Sequence, residues 1–240
     1  GIIIILWMDF FSDFFELVSC DIELVKKVYM QQYRHNNHFD FEHKGFINIL
    51  EKDKNFLIEF LEDYYKNSKT IFGHHSENLG FVWNLTNIND LVEKALLLII
   101  EKDFYIGFED HYSNSFFKQI PEGKRKIASD FLLSFAAKYN SNYKVINTVI
   151  DIARHTMTEF YKEILLQHLR LNKSLDLFKM LSWNGNGGTY SGDVIIAEVE
   201  AAQWKEIQET IEKGGFNFEI LQIRKYVQDQ IDHCIERGKE

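Results

Sequence analysis

One proline in 240 residues is the feature that most restricts what this chain can become. Proline removes a helical hydrogen bond and drives its ring into the preceding turn, so long helices exclude it. Pro121 stands alone, and between Gly123 and Gly185 there is neither glycine nor proline. Apolar residues recur at spacings of three and four, which gathers them on one helix face instead of alternating them across a strand. The expectation is an all-α chain.

The stripes can be read directly. Phe56, Leu57, Phe60, Leu61 and Tyr64 form one; Leu91, Ala95, Leu98 and Ile99 form a second, with Asn89 or Asp90 as its cap. Ile127, Phe131, Leu132, Phe135 and Tyr139 form a third after Pro121 and Gly123, and Asn140-Ser141-Asn142 then punctuates the chain. Val145, Val149, Ile152, Met157, Phe160, Ile164 and Leu165 read as one longer helix reaching almost to Leu171. Ile22–Tyr33 and Leu175–Leu181 read as helices too. Asp193–Val199 fits either a short strand or the start of a helix through Trp204, Ile207 and Ile211. Gly214-Gly215 precedes a last helix through Ile223, Val227 and Ile231.

The Phe56 stripe recurs at Phe131 with the same internal spacing, 75 residues later. That offset is about twice a helix-pair repeat of the HEAT or armadillo kind, whose pairs bury their apolar faces by stacking. Any two Phe-rich amphipathic helices produce the same echo, in a chain with 21 Phe. The fold expected is therefore antiparallel helix pairs, about ten helices at ordinary globular lengths, in a short α-solenoid or irregular bundle. The division expected is a helical array over residues 1–184 and a C-terminal helix pair over 185–240, packed on the array.

Composition excludes several classes. A net charge of −9 disfavours nucleic acid, which requires a Lys/Arg surface, although Lys124-Arg125-Lys126 forms a local basic run. Cys20 and Cys234 lie too far apart in sequence for a metal knuckle and are too few for a disulfide framework, which fits a reducing, cytoplasmic setting. The apolar runs Gly1–Met8 and Ala95–Ile100 are too short to span a bilayer, so no membrane span is expected. The absence of an initiator Met suggests a piece of a longer polypeptide whose first residues pack against something, with Ile2–Phe15 as an apolar patch.

Chemistry-bearing clusters are sparse. His35, His38, Asp40 and His43 carry metal-ligand chemistry within nine residues, and His35 and His38 would share a face of a final helical turn. A metal-dependent hydrolase is the enzymatic alternative on that cluster, against the simpler reading of a solvated loop. His74-His75 and Glu109-Asp110-His111 read as loop residues. No nucleophile elbow is present. The segment Gly185–Gly192 imitates a phosphate loop, but Asp193 stands where a phosphate-binding Lys is needed. Its flanking indoles, Trp183 and Trp204, either cap a tight turn or, with Asn186 and Tyr190, line a binding surface.

The run from Trp183 through Gly192-Asp193, then Ala201-Ala202-Gln203-Trp204-Lys205-Glu206-Ile207 and Ile223-Arg224-Lys225-Tyr226, resembles the C-terminal HEAT-like helical regions of bacterial NACHT/STAND-type ATPases and related defence proteins. The resemblance implies a sensing arm, with the nucleotide held elsewhere in the parent chain and no catalytic residue or cofactor here. The leading expectation is a non-enzymatic interaction domain. It would bind a protein partner or other domains of its own parent chain, with self-association left open.

Overall fold

An apolar stripe on a helix is stable only when another element covers it. The computed structural model of this chain describes residues 21–36, 44–67, 79–102, 105–106, 110–184, 193–216 and 218–239. The protein is all-α, and its helices pack in pairs. They are α1 (Ile22–Asn36), α2 (Lys44–Lys52), α3 (Phe56–Asn67), α4 (Asn89–Lys102), α5 (Arg125–Lys138), α6 (Tyr143–His155), α7 (Tyr161–Leu171), α8 (Leu175–Met180), α9 (Asp193–Lys213) and α10 (Leu221–Arg237). Tyr105–Ile106 (β1) and Asp110–His111 (β2) make a minimal antiparallel ladder. No described helix is long and apolar enough to cross a membrane.

The chain divides into two compact units, Gly1–Arg125 and Lys126–Glu240. In the first, α3 packs against α1, α2 and α4. Phe56, Leu57, Phe60 and Leu61 are all buried, as their spacing predicts. On α4 the buried face is wider than the predicted stripe: Val92 and Leu96 join Leu91, Ala95 and Ile99, while Leu98 is half-buried. This helix begins at Asn89, so Asp90 lies in its first turn, where a carboxylate favours the helix dipole. Lys26 is buried, pairs with Glu23 at 3.0 Å and with Asp53, and sits 5.7 Å from the Phe56 ring centre. Burial alone would lower its pKa; the hydrogen bonds to Asp53 and Glu23 outweigh that and raise it.

Two short 3₁₀ turns, Gly80–Asn84 and Tyr112–Phe117, meet beside α4. Trp83 is buried there and its Nε1–H donates to the Phe116 carbonyl at 2.7 Å. Gly80 is required by close approach, because a Cβ at that position would collide with the Lys118 carbonyl.

In the second unit, α5 buries Phe131, Leu132 and Phe135, but Ile127 is exposed and Ala128 takes its place. The long helix read from Val145 to Leu171 is two helices. It ends at His155, where the Thr156 hydroxyl and the backbone N–H groups of Thr156 and Met157 all bond the Ile152 carbonyl. The Thr158–Phe160 3₁₀ turn then redirects the chain into α7. Met157 is wholly buried at this corner, so the apolar spacing persists across a break that no glycine or proline announces. Asn142 caps α6 through Lys144 and Val145, and Ser174 caps α8 through Leu177.

Asp193–Val199, open between strand and helix on sequence, lies at the start of α9. α9 and α10 form an antiparallel hairpin: Gln208 bonds Gln228 at 2.7 Å, and Glu200 pairs with Arg237. Ile207 and Ile211 face inward on one helix, Ile223, Val227 and Ile231 on the other. Gly215, at φ +70°, makes the turn. A Cβ on Gly214 would press on Leu166 and Phe216. The hairpin packs on α7 and α8, within the same unit.

Candidate interaction surface

Trp183 has no exposed surface, and Trp204 has almost none. The Trp183 ring stacks on Phe178 with centroids 5.4 Å apart and tilts against His168 at 5.3 Å. Phe178 meets Tyr226 edge-on at 6.3 Å, and Tyr226 meets Trp204 the same way at 5.8 Å. The two indoles thus end one chain of rings running through α8 and α10. Offset and edge-to-face pairs of this kind add about 0.5–1.5 kcal/mol each beyond their buried area. Asn186 and Tyr190, the other two residues singled out around this loop, lie outside the described residues.

Behind the rings lies a polar layer that the sequence did not reveal. The Tyr161 hydroxyl donates to the Trp183 carbonyl at 2.7 Å and accepts from the Arg154 guanidinium at 2.9 Å. Arg154 also lies over the Tyr161 ring, 4.4 Å from its centre. Burial pushes the Tyr161 pKa up, and the Arg154 charge offsets only part of that. Arg154 itself is pulled down by burial. One hydroxyl therefore ties α6, α7 and the segment after α8 together. The residues meet across the break at Thr156, so the assumption of one continuous helix hid them.

Among the described residues several buried polar atoms in this unit have no hydrogen-bond partner: both ring nitrogens of His168, the Trp183 Nε1, and the side-chain oxygens of Gln167 and Gln203. Burial holds the His168 pKa down at about 4, so the ring is neutral near pH 7. A catalytic histidine is oriented by a carboxylate or carbonyl and faces a nucleophile or substrate. Among the described residues His168 has neither bond, and its ring packs against Trp183.

The metal candidates cannot be placed in the same way. His38, Asp40 and His43 lie outside the described residues, as does the side chain of His35 at the end of α1. Among the described residues no group of three or more His, Cys, Asp or Glu side chains is arranged to hold a metal ion. A cleft of about 330 Å3 between α1 and α3 is lined by Lys26, Lys27, Glu23, Glu59, Gln31 and Phe56, but the Lys26 ammonium is already bonded to Glu23 and Asp53.

The exposed apolar residues tell more. Phe218 is 88% exposed, Leu221 59% and Leu171 50%. Phe218 lies in the α9–α10 connection, and Leu221 and Leu171 are helix-end residues beside connections that meet at one end of the second unit. Asn172, in the α7–α8 link, donates to the Asn140 carbonyl in the α5–α6 turn at 3.4 Å. Its neighbour Lys173 pairs with Glu219, beside Phe218. Lys179 of α8 sits over the Tyr226 ring of α10 at 5.3 Å. An open cleft of about 560 Å3 runs along the α5–α6 turn, lined by residues from Lys138 to Tyr143. The segments 138–144, 170–179 and 218–225 carry seven Lys and Arg residues against two acids, Asp176 and Glu219. The chain as a whole is at −9, so this end is a cationic island on an acidic protein. Tandem periodicity marked the buried faces in advance; an outward-turned Phe at a turn tip breaks no period and left no such mark.

Compared with protein-family models, curated proteins and solved structures, the chain matches none of them.

Proposed function

We propose that this protein is a non-enzymatic helical interaction module that captures a protein partner at the exposed end of its second unit. The observation that carries this reading is Phe218, a large aromatic almost fully in water beside Leu221 and a salt-bridge link to Lys173. Apolar side chains grouped on a surface and rimmed by charge are the usual mark of a protein–protein contact, where aromatic anchors supply most of the affinity. The interior offers support of a different kind. The polar groups around Trp183 are buried and tied to packing, leaving no assembled nucleophile, base and oxyanion site for chemistry among the described residues.

The likeness of residues 183–226 to the helical regions of NACHT/STAND-type ATPases supports one further step. It makes the module a sensing arm of a larger bacterial defence protein in the cytoplasm. The test compares wild-type protein with Phe218→Ser and, as a control at a separate exposed apolar site, Ile235→Ser. Affinity copurification with mass spectrometry should identify a protein retained by wild type and Ile235→Ser and lost with Phe218→Ser. Identical retention by all three would overturn the proposal.

A further inference from the structure

We infer that the segment recognised at this end is an acidic one carrying apolar anchors, which rests on the interaction reading above and names its partner's chemistry. Three observations converge. The charge balance of segments 138–144, 170–179 and 218–225 is opposite in sign to that of the chain, so the local field selects for carboxylates while the rest of the acidic surface repels them from other sites. The cleft along Lys138–Tyr143 ends at the N-terminus of α6, a thirteen-residue helix whose positive dipole end lies beside exposed Lys138 and half-buried Lys144. Phe218, Leu221 and Leu171 stand beside that cationic ground and offer apolar contact but no charge.

The pairing is divided by chemistry. Carboxylates of the partner meet Lys138, Lys144 and the α6 N-terminus, and apolar side chains lie against Phe218 and Leu221. Asn142 already accepts from the N–H groups of Lys144 and Val145, so the acidic groups are held by lysine ammoniums and the dipole rather than by a vacant backbone amide. Such contact is salt-sensitive, because Lys138 is exposed and Lys144 only half-buried, and screening acts within about 10 Å at 0.1 M salt.

The probe is a fluorescein-labelled amphipathic peptide of sixteen residues, with Leu and Phe at helical spacing and Glu at the remaining positions. A control peptide carries Lys for every Glu. Fluorescence anisotropy with the full chain should show binding of the acidic peptide only, weakened at least fivefold between 50 and 300 mM salt. The double variant Lys144→Glu with Lys225→Glu should weaken it more than tenfold. Lys225 is exposed and Lys144 half-buried, a glutamate at 144 suits the first turn of α6, and circular dichroism verifies that the double variant folds.

Equal binding of the two peptides, binding of neither, or retention of full affinity by the double variant would overturn the inference. Binding to phosphatidylserine vesicles in place of the acidic peptide would overturn it in favour of a lipid surface. The two readings separate cleanly. If Phe218→Ser removes a copurified partner and the charge reversals do not, the interaction surface stands and its acidic preference falls.

Discussion

Among the described residues each unit of this protein buries one tryptophan completely, Trp83 and Trp183, and the two are treated differently. Trp83 in the first unit donates its indole N–H to the Phe116 carbonyl. Trp183 in the second is buried as fully, but among the described residues its indole N–H meets no acceptor; its backbone N–H donates to the Leu181 carbonyl and its own carbonyl accepts from Tyr161. A buried donor left unpaired forfeits roughly 1–3 kcal/mol of solvation. The rings around Trp183, namely Phe178, Tyr226 and Trp204, supply the compensating contact. One tryptophan is thus held by a directed bond, the other by stacking that fixes position without satisfying polarity.

That contrast can be broken in order of expected effect. Trp83→Ala removes the largest side chain of its cluster and strands the Phe116 carbonyl, at a cost of roughly 3–5 kcal/mol in chemical denaturation. Next is acid. His168 beside Trp183 is held neutral with a pKa of about 4, whereas an unfolded histidine titrates near 6.5. Above pH 6.5 the group is neutral in both states and contributes no pH dependence. Below it the unfolded chain binds the extra proton, so stability falls between pH 6.5 and 4, by about 3 kcal/mol in all. His168→Phe should flatten the curve in that window; an unchanged slope would remove His168 as its source.

The phenylalanine exchanges are smaller and most diagnostic. Trp83→Phe leaves a buried carbonyl unpaired and should cost about 1–3 kcal/mol. Trp183→Phe deletes a donor that bonds nothing, so the net change should stay within roughly 1 kcal/mol, lost ring contact set against relieved polarity. Equal costs for the two would erase the distinction drawn here. Phe218→Ser should be smallest, within about 0.5 kcal/mol, because an exposed side chain gives up little on removal.

The same contrast shows where sequence reasoning reaches. Helix faces were legible because burial imposes a period: Phe56, Leu57, Phe60 and Leu61, Phe131, Leu132 and Phe135, and Ile223, Val227 and Ile231 are all inside. The break after His155 was not legible. It is made by a threonine hydroxyl and two backbone amides converging on one carbonyl, a local event that leaves the apolar spacing of Met157 and Ile164 intact. That misreading in turn concealed the Arg154–Tyr161 bond, since residues seven apart in an unbroken helix would stand two turns away from each other. Trp183 and Trp204 were found from their place beside the glycine segment, but the rings that connect them, Phe178 and Tyr226, come from helices no motif associates. Surface features such as Phe218 obey no period, so only the fold brings them beside Leu171 and Lys173.

The hairpin of α9 and α10 has a consequence for how the chain acquires its shape. Its cross-helix bonds join residues only 20 to 37 positions apart, from Gln208–Gln228 to Glu200–Arg237. Closing so short a loop costs little chain entropy, and helices elongate within nanoseconds per residue. This pair is therefore the natural nucleus of the second unit, formed before α8 and its rings have anything to stack against. Substitutions that shorten Val227 or Ile207 should slow folding, whereas those at Phe178 should chiefly hasten unfolding.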